Sequence, residues 1–112
     1  MPFVQANGLE YYRFNLFGDS IIHGIFTRKG GVSPSPWATL NLGGTVGDSR
    51  ENVIENRKRI FDALDIEVDS IFDVWQVHSD TVMFSSKPRP FDQPHEKADA
   101  IVTNNPKVTL FM

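Results

Sequence analysis

Hydrophobic and polar positions along this chain fall into short apolar runs, with one segment of longer period. Glu10-Tyr11-Tyr12-Arg13-Phe14-Asn15-Leu16-Phe17 is aromatic-rich and partly alternating, which predicts a strand. Gly18-Asp19-Ser20 predicts a turn, and Ile21 to Thr27 a second strand that pairs with the first as a hairpin. From Arg28 to Gly47 there are five glycines and two prolines in twenty residues and little periodicity. That composition predicts a long ordered loop, pinned to a core by Trp37 and Leu40.

The longer period follows. Between about Ser49 and Leu64, the residues Val53, Ile60, Phe61 and Leu64 share one stripe at about 100° per residue, which predicts a helix. Glu55, Lys58, Arg59 and Asp62 fall opposite. Asp48 is the expected N-cap, with Glu51 three residues on completing a capping-box pattern. Arg57 interrupts the apolar stripe, so its guanidinium needs a carboxylate or carbonyl partner, and a structural ion pair is expected.

Beyond the helix, Ile71 to His78 and Thr81 to Phe84 read as strands joined by Ser79-Asp80. Ser86 to Lys97 carries three prolines and reads as a surface loop. Ala98 to Thr103 and Val108 to Met112 read as two more strands around an Asn104-Asn105-Pro106-Lys107 turn. Four to six strands and one helix predict an α+β (mixed α/β) layer structure. The last run is apolar and lacks a closing turn, which reads as a chain cut in mid-structure, its final strand an unprotected edge; the plain alternative is a terminal strand that docks in a sheet.

Composition narrows the function. The chain has 112 residues, 40% of them hydrophobic, and a formal net charge of −3. That is ordinary globular composition for one domain at most, and its mild acidity excludes a generic basic nucleic-acid binder. Zero cysteines exclude a disulfide scaffold, a Cys-based zinc finger and a Cys nucleophile within these residues. No apolar run approaches the roughly 20 residues that span a bilayer. The start has no basic region followed by an apolar one, so a cytoplasmic location is expected.

Two places could carry chemistry. With a strand period of 2, Gln76 and His78 share a face, and His78 ends its strand beside a tight turn. There a neutral imidazole can ligate zinc or copper, or act as acid or base; the plain alternative is a histidine that bonds only to backbone. His23 is expected mid-strand and His95 solvated, and three histidines without a cysteine cannot build a blue-copper site. The second place is Thr27-Arg28-Lys29-Gly30-Gly31-Val32-Ser33, with two basic residues, glycines that free backbone N–H groups and a hydroxyl. It resembles an anion-binding turn but lacks P-loop spacing, and such a segment is often only a turn.

Six blocks in order change the reading: Phe26 to Ser33, Leu40-Asn41-Leu42-Gly43, Gly47-Asp48, Asn56-Arg57, Gln76-Val77-His78 and Ala98 to Thr103. Together they resemble the bacterial laccase-domain, or polyphenol oxidase, family, now regarded as purine nucleoside phosphorylases. The resemblance starts at about residue 21 and implies a three-layer architecture with a mixed sheet, of which residues 1–112 form the N-terminal part of a single domain. It further implies a metal centre with three ligands, a His, a Cys and a His. Only the first has a counterpart here, His78; the other two blocks would lie beyond Met112, in the remainder of the same chain.

The implied activity of the whole enzyme is phosphorolysis of adenosine, inosine, guanosine and methylthioadenosine, together with adenosine deamination. Zinc, with copper as the alternative, fits the deamination arm, because zinc-bound water ionises near neutral pH. Arg28 is then the expected phosphate contact within a cradle of Gly30, Gly31 and Ser33, with Asn41 on a hydroxyl or the base. Two other readings stand beside this one. Copper-dependent phenol oxidation needs several copper ions and many histidines. A non-catalytic fragment, without metal or turnover of its own, is the expectation for these residues taken alone.

Overall fold

Asn7-Gly8 makes the first turn of the chain, in a computed structural model that describes residues 3–90 and 92–112. Both residues are left-handed, with φ of 53° and 82°, and they join β1 (Phe3–Ala6) to β2 (Leu9–Tyr12) with Ala6 opposite Leu9. Asn-Gly suits such a two-residue hairpin because its positive φ values match the twist of the strands. This hairpin was present as a signal in the sequence, and the strand expected over 10–17 displaced it. The chain leaves β2 after Tyr12, and Asn15–Phe17 is a short 3-10 helix.

The expected pairing with the next strand survives in shortened form. β3 (Ile25–Phe26) pairs antiparallel with β2, Tyr11 opposite Phe26. The aromatic residues read as strand go instead into a cluster that closes the connection, with Phe14 stacked on His23 and Phe17 edge-on to it. His23 therefore lies outside any strand. Its Nε2 accepts from the Phe14 N–H at 2.8 Å, so Nδ1 carries the proton and donates to the Ile21 carbonyl at 3.1 Å.

The first compact unit, Met1–Asp65, is completed by α1 (Arg50–Leu64). Ser49, not Asp48, is its N-cap: the Ser49 hydroxyl accepts from the Asn52 N–H. Asp48 sits one residue earlier and accepts from Ser49 N–H and the Asn52 side chain. The stripe reading holds, since Val53, Ile60 and Phe61 are buried. The helix packs on β2, whose Leu9 and Tyr11 are also buried. Burying a leucine such as Leu9 is worth about 1.5–3 kcal/mol.

The second unit, Ile66–Met112, differs from expectation in its pairing. β4 (Ile71–Asp73) runs parallel to β7 (Thr109–Phe111), and β5 (Val82–Phe84) parallel to β6 (Ala100–Val102). A short 3-10 helix, Val68–Ser70, leads into β4. Neither adjacent pair of strands forms a hairpin. The strand expected over 71–78 stops at Asp73, apart from a parallel bridge between Trp75 and Lys97, and His78 itself takes a left-handed φ of 60° that no extended strand tolerates. Phe72, Ala98 and Val108 are buried. With one α-helix, an antiparallel sheet and two parallel pairs among the described residues, the chain is α+β. Among the same residues, no helix is long and apolar enough to cross a membrane.

Candidate functional site

The glycine-rich segment of the first unit is folded onto α1 by its own polar side chains. Asn56, fully buried on the helix stripe, accepts from the Val32 N–H at 2.8 Å. Its amide nitrogen donates to Ser33 Oγ at 2.9 Å and to the Asn41 carbonyl at 2.8 Å. Ser33, also buried, donates to the Asp48 carboxylate, which accepts from Asn41 Nδ2 at 3.2 Å as well. The Ser33 bond leads the causes that hold the Asp48 carboxyl below its ordinary pKa. Arg57 completes the set: Nε and a terminal nitrogen converge on the Leu42 carbonyl at 3.1 and 2.8 Å.

Ser33 and Asn41, expected at phosphate and nucleoside, thus turn their polar atoms into this network. Gly30 and Gly31 are placed by close approach. Gly30 has φ of 93°, and a Cβ on it would lie 2.4 Å from the Gly8 carbonyl oxygen. One on Gly31 would lie 2.1 Å from the Thr39 oxygen. Their bonds are internal too, with Gly31 N–H donating to Thr39 Oγ1 at 3.0 Å and the Gly30 carbonyl accepting from Arg59 at 2.8 Å. Arg28 is different. Its carbonyl accepts from the Thr39 and Leu40 N–H groups, while its exposed guanidinium has no hydrogen bond or ion pair with other described residues. Lys29 lies 3.4 Å from Glu10.

In the second unit a carboxylate gathers backbone instead. Asp99 accepts from the N–H groups of Val77 at 3.0 Å, His78 at 2.8 Å and Ser79 at 2.7 Å, and from the Ser79 hydroxyl at 2.6 Å. Successive N–H groups aimed at one point form an anion-binding concavity, and the left-handed His78 is what aims them. These bonds, the Ser79 hydroxyl first, hold the Asp99 carboxyl at a pKa of about 2. A left-handed histidine costs about 1–2 kcal/mol, which the gathered charge-assisted bonds offset. The His78 side chain is exposed. Among the described residues, no three His, Cys, Asp or Glu side chains converge as a metal site.

Residues 22–112 match the family described as multi-copper polyphenol oxidoreductase laccase. The chain belongs to that family. It is 39% identical over 84 residues to a purine nucleoside phosphorylase of Corynebacterium glutamicum, covering 75% of this chain and 34% of that protein. It is 38% identical over 81 residues to the purine nucleoside phosphorylase YfiH of Escherichia coli, covering 71% and 31%. Among solved structures, YlmD from Geobacillus stearothermophilus superposes with a TM-score of 0.82 at 28% identity, over 97% of this chain and 43% of that one. YfiH from Bacillus licheniformis gives 0.78 at 26%, over 97% and 42%. The chain therefore spans about a third of the length of the curated relatives it matches.

One cluster of this laccase-family chain adds a partner that its sequence reading did not name. His95 is exposed, as expected, but its Nε2 lies 2.9 Å from Asp73, while Arg89 Nε lies 2.7 Å from the other oxygen. Burial pushes the Asp73 carboxyl up, yet the Arg89 and His95 bonds and charges outweigh it and hold it below the ordinary value. Arg89 of the 86–97 loop thus turns inward and the exposed His95 joins it on Asp73 as an anchor; Phe91 of that loop lies outside the described residues. No sequence period could reveal this anchor, because its partner Asp73 sits on β4.

Proposed function

We propose that this chain is the N-terminal part of a single-domain, metal-dependent purine nucleoside phosphorylase that acts on adenosine, inosine, guanosine and methylthioadenosine and also deaminates adenosine in the cytoplasm. The observation that carries this is the match over residues 22–112, together with relatives that bear the phosphorylase name. In this reading Arg28 holds phosphate, because its guanidinium is exposed and uncommitted among the described residues. Gly30, Gly31, Ser33 and Asn41 hold the segment that carries it.

His78 is one ligand of a zinc ion whose other ligands lie beyond Met112, in the remainder of the same protein. Its exposed imidazole, on a turn fixed through backbone, suits one position of such a site, which takes three or four protein ligands. Bound there, zinc supplies an activated water for deamination. The other two histidines support zinc over multi-copper chemistry: His23 bonds to Phe14 and Ile21, and His95 to Asp73. Multi-copper sites need many free imidazoles.

Steady-state kinetics of the complete enzyme with varied phosphate test the reading. Loss of a hydrogen bond to a charged group costs about 1.5–3 kcal/mol, so Arg28→Ala should raise the phosphate requirement roughly ten- to 150-fold and leave deamination nearly unchanged. Equal losses in both reactions would contradict the phosphate role. Absence of phosphorolysis in the unaltered enzyme would contradict the reading itself.

A further inference from the structure

Asp99 sits immediately before β6 and is rooted through two successive N–H groups, its own and that of Ala98. The N–H of the fully buried Ala98 donates to the Trp75 carbonyl at 3.0 Å, and the Asp99 N–H donates to the Thr81 carbonyl at 3.0 Å. Trp75 and Thr81 bracket the segment that carries His78. From that rooted backbone, the Asp99 carboxylate reaches back to the N–H groups of Val77, His78 and Ser79 and to the Ser79 hydroxyl. The turn is thereby tied to the same chain segment at its start, its end and its middle.

We propose that Asp99 is the positioning residue for His78: by gathering three successive N–H groups it fixes the left-handed turn that presents the imidazole. This rests on the reading of His78 as a metal ligand. An aspartate suits the task because its short side chain, on a backbone anchored at the Ala98 and Asp99 N–H groups, can converge on three N–H groups at once. The geometry is of a kind with the supporting groups that orient histidine ligands in metal sites, except that here the contact runs through the backbone of the ligand and not through its ring. His78 at φ of 60° is not a conformation the residue adopts by preference, so without the carboxylate the turn relaxes and the imidazole loses its direction.

The experiment compares Asp99→Ala, Asp99→Asn and His78→Ala in the complete enzyme. Zinc affinity is read by chelator competition, ligand geometry by the absorption of the cobalt(II) form, and folding by melting of the metal-free protein. Asp99→Ala is expected to weaken zinc about 10- to 100-fold and to shift the cobalt bands. Asp99→Asn keeps one oxygen for the Val77 and His78 N–H groups and is expected to fall between the two, with metal-free melting close to the unaltered enzyme. If Asp99→Ala does not fold, the Asn variant alone carries the test. Unaltered zinc affinity and cobalt bands in the folded Asp99 variants, with metal lost from His78→Ala, would overturn the role of Asp99 and leave the ligand reading standing. Affinity that falls only in step with metal-free melting, with unshifted cobalt bands, would reduce Asp99 to a structural residue and overturn it as well. Full metal in His78→Ala would overturn the ligand reading, and the inference with it.

Discussion

Two carboxylates organise the two units of this chain, and they do so in opposite senses. Asp48 gathers side chains: Ser33, Asn41 and Asn52 donate to it, and the set closes on the buried Asn56. Asp99 gathers backbone and leaves the side chain of His78 outside. In the first arrangement the polar atoms satisfy one another. In the second the polar atom that matters is left over. A site residue is therefore better sought where a fold fixes the main chain and frees the side chain than where many polar side chains meet. By this criterion His78 and Arg28 stand apart from Ser33 and Asn41.

The contrast predicts that damage to the first network is felt as stability. Asn56→Ala strands the Val32 N–H and the Asn41 carbonyl, groups whose loss of partners costs about 1–3 kcal/mol each, and takes a donor from Ser33 Oγ, which keeps its bond to Asp48. A destabilisation of about 3–5 kcal/mol is expected in urea unfolding, a large share of the roughly 5–15 kcal/mol of a typical domain. A change below about 1 kcal/mol would show that the network does not hold the loop. Gly31→Ala sharpens the point, since its Cβ would meet backbone at Thr39 and Leu40. About 1–3 kcal/mol of destabilisation is expected, and a neutral outcome would mean that the segment yields freely.

The smallest expected effect concerns acid. The folded Asp99 carboxyl, at about 2, lies below its unfolded value of 3.8, so its contribution to stability is present above 3.8 and is lost as pH falls through about 2. Followed by NMR from about pH 5 downward, the amide signals of Val77, His78 and Ser79 should move together only near that lower value. Movement centred near 4 would mean that the carboxylate does not gather them.

The six sequence blocks turn out to be two hydrogen-bonded assemblies, and this explains what could be read and what could not. Blocks 26–33, 40–43, 47–48 and 56–57 meet through Ser33, Asn41, Asp48, Asn56 and Arg57; blocks 76–78 and 98–103 meet through Asp99. The order of blocks was legible, but not which atoms join them. The helix was legible because its stripe is periodic. Parallel pairing of β4 with β7 and β5 with β6 was not, since parallel partners share no turn to mark them. Beyond Asp99 itself and the Ser79 hydroxyl, the contact leaves no trace in residue type, because backbone N–H groups belong to every non-proline residue.

The account turns on the freed side chain, and metal analysis of purified His78→Ala in the complete enzyme tests it most directly. One of the ligands is lost, so most of the bound zinc and nearly all nucleoside cleavage should disappear while the protein still melts as a folded one. A full equivalent of zinc with unaltered turnover would contradict it.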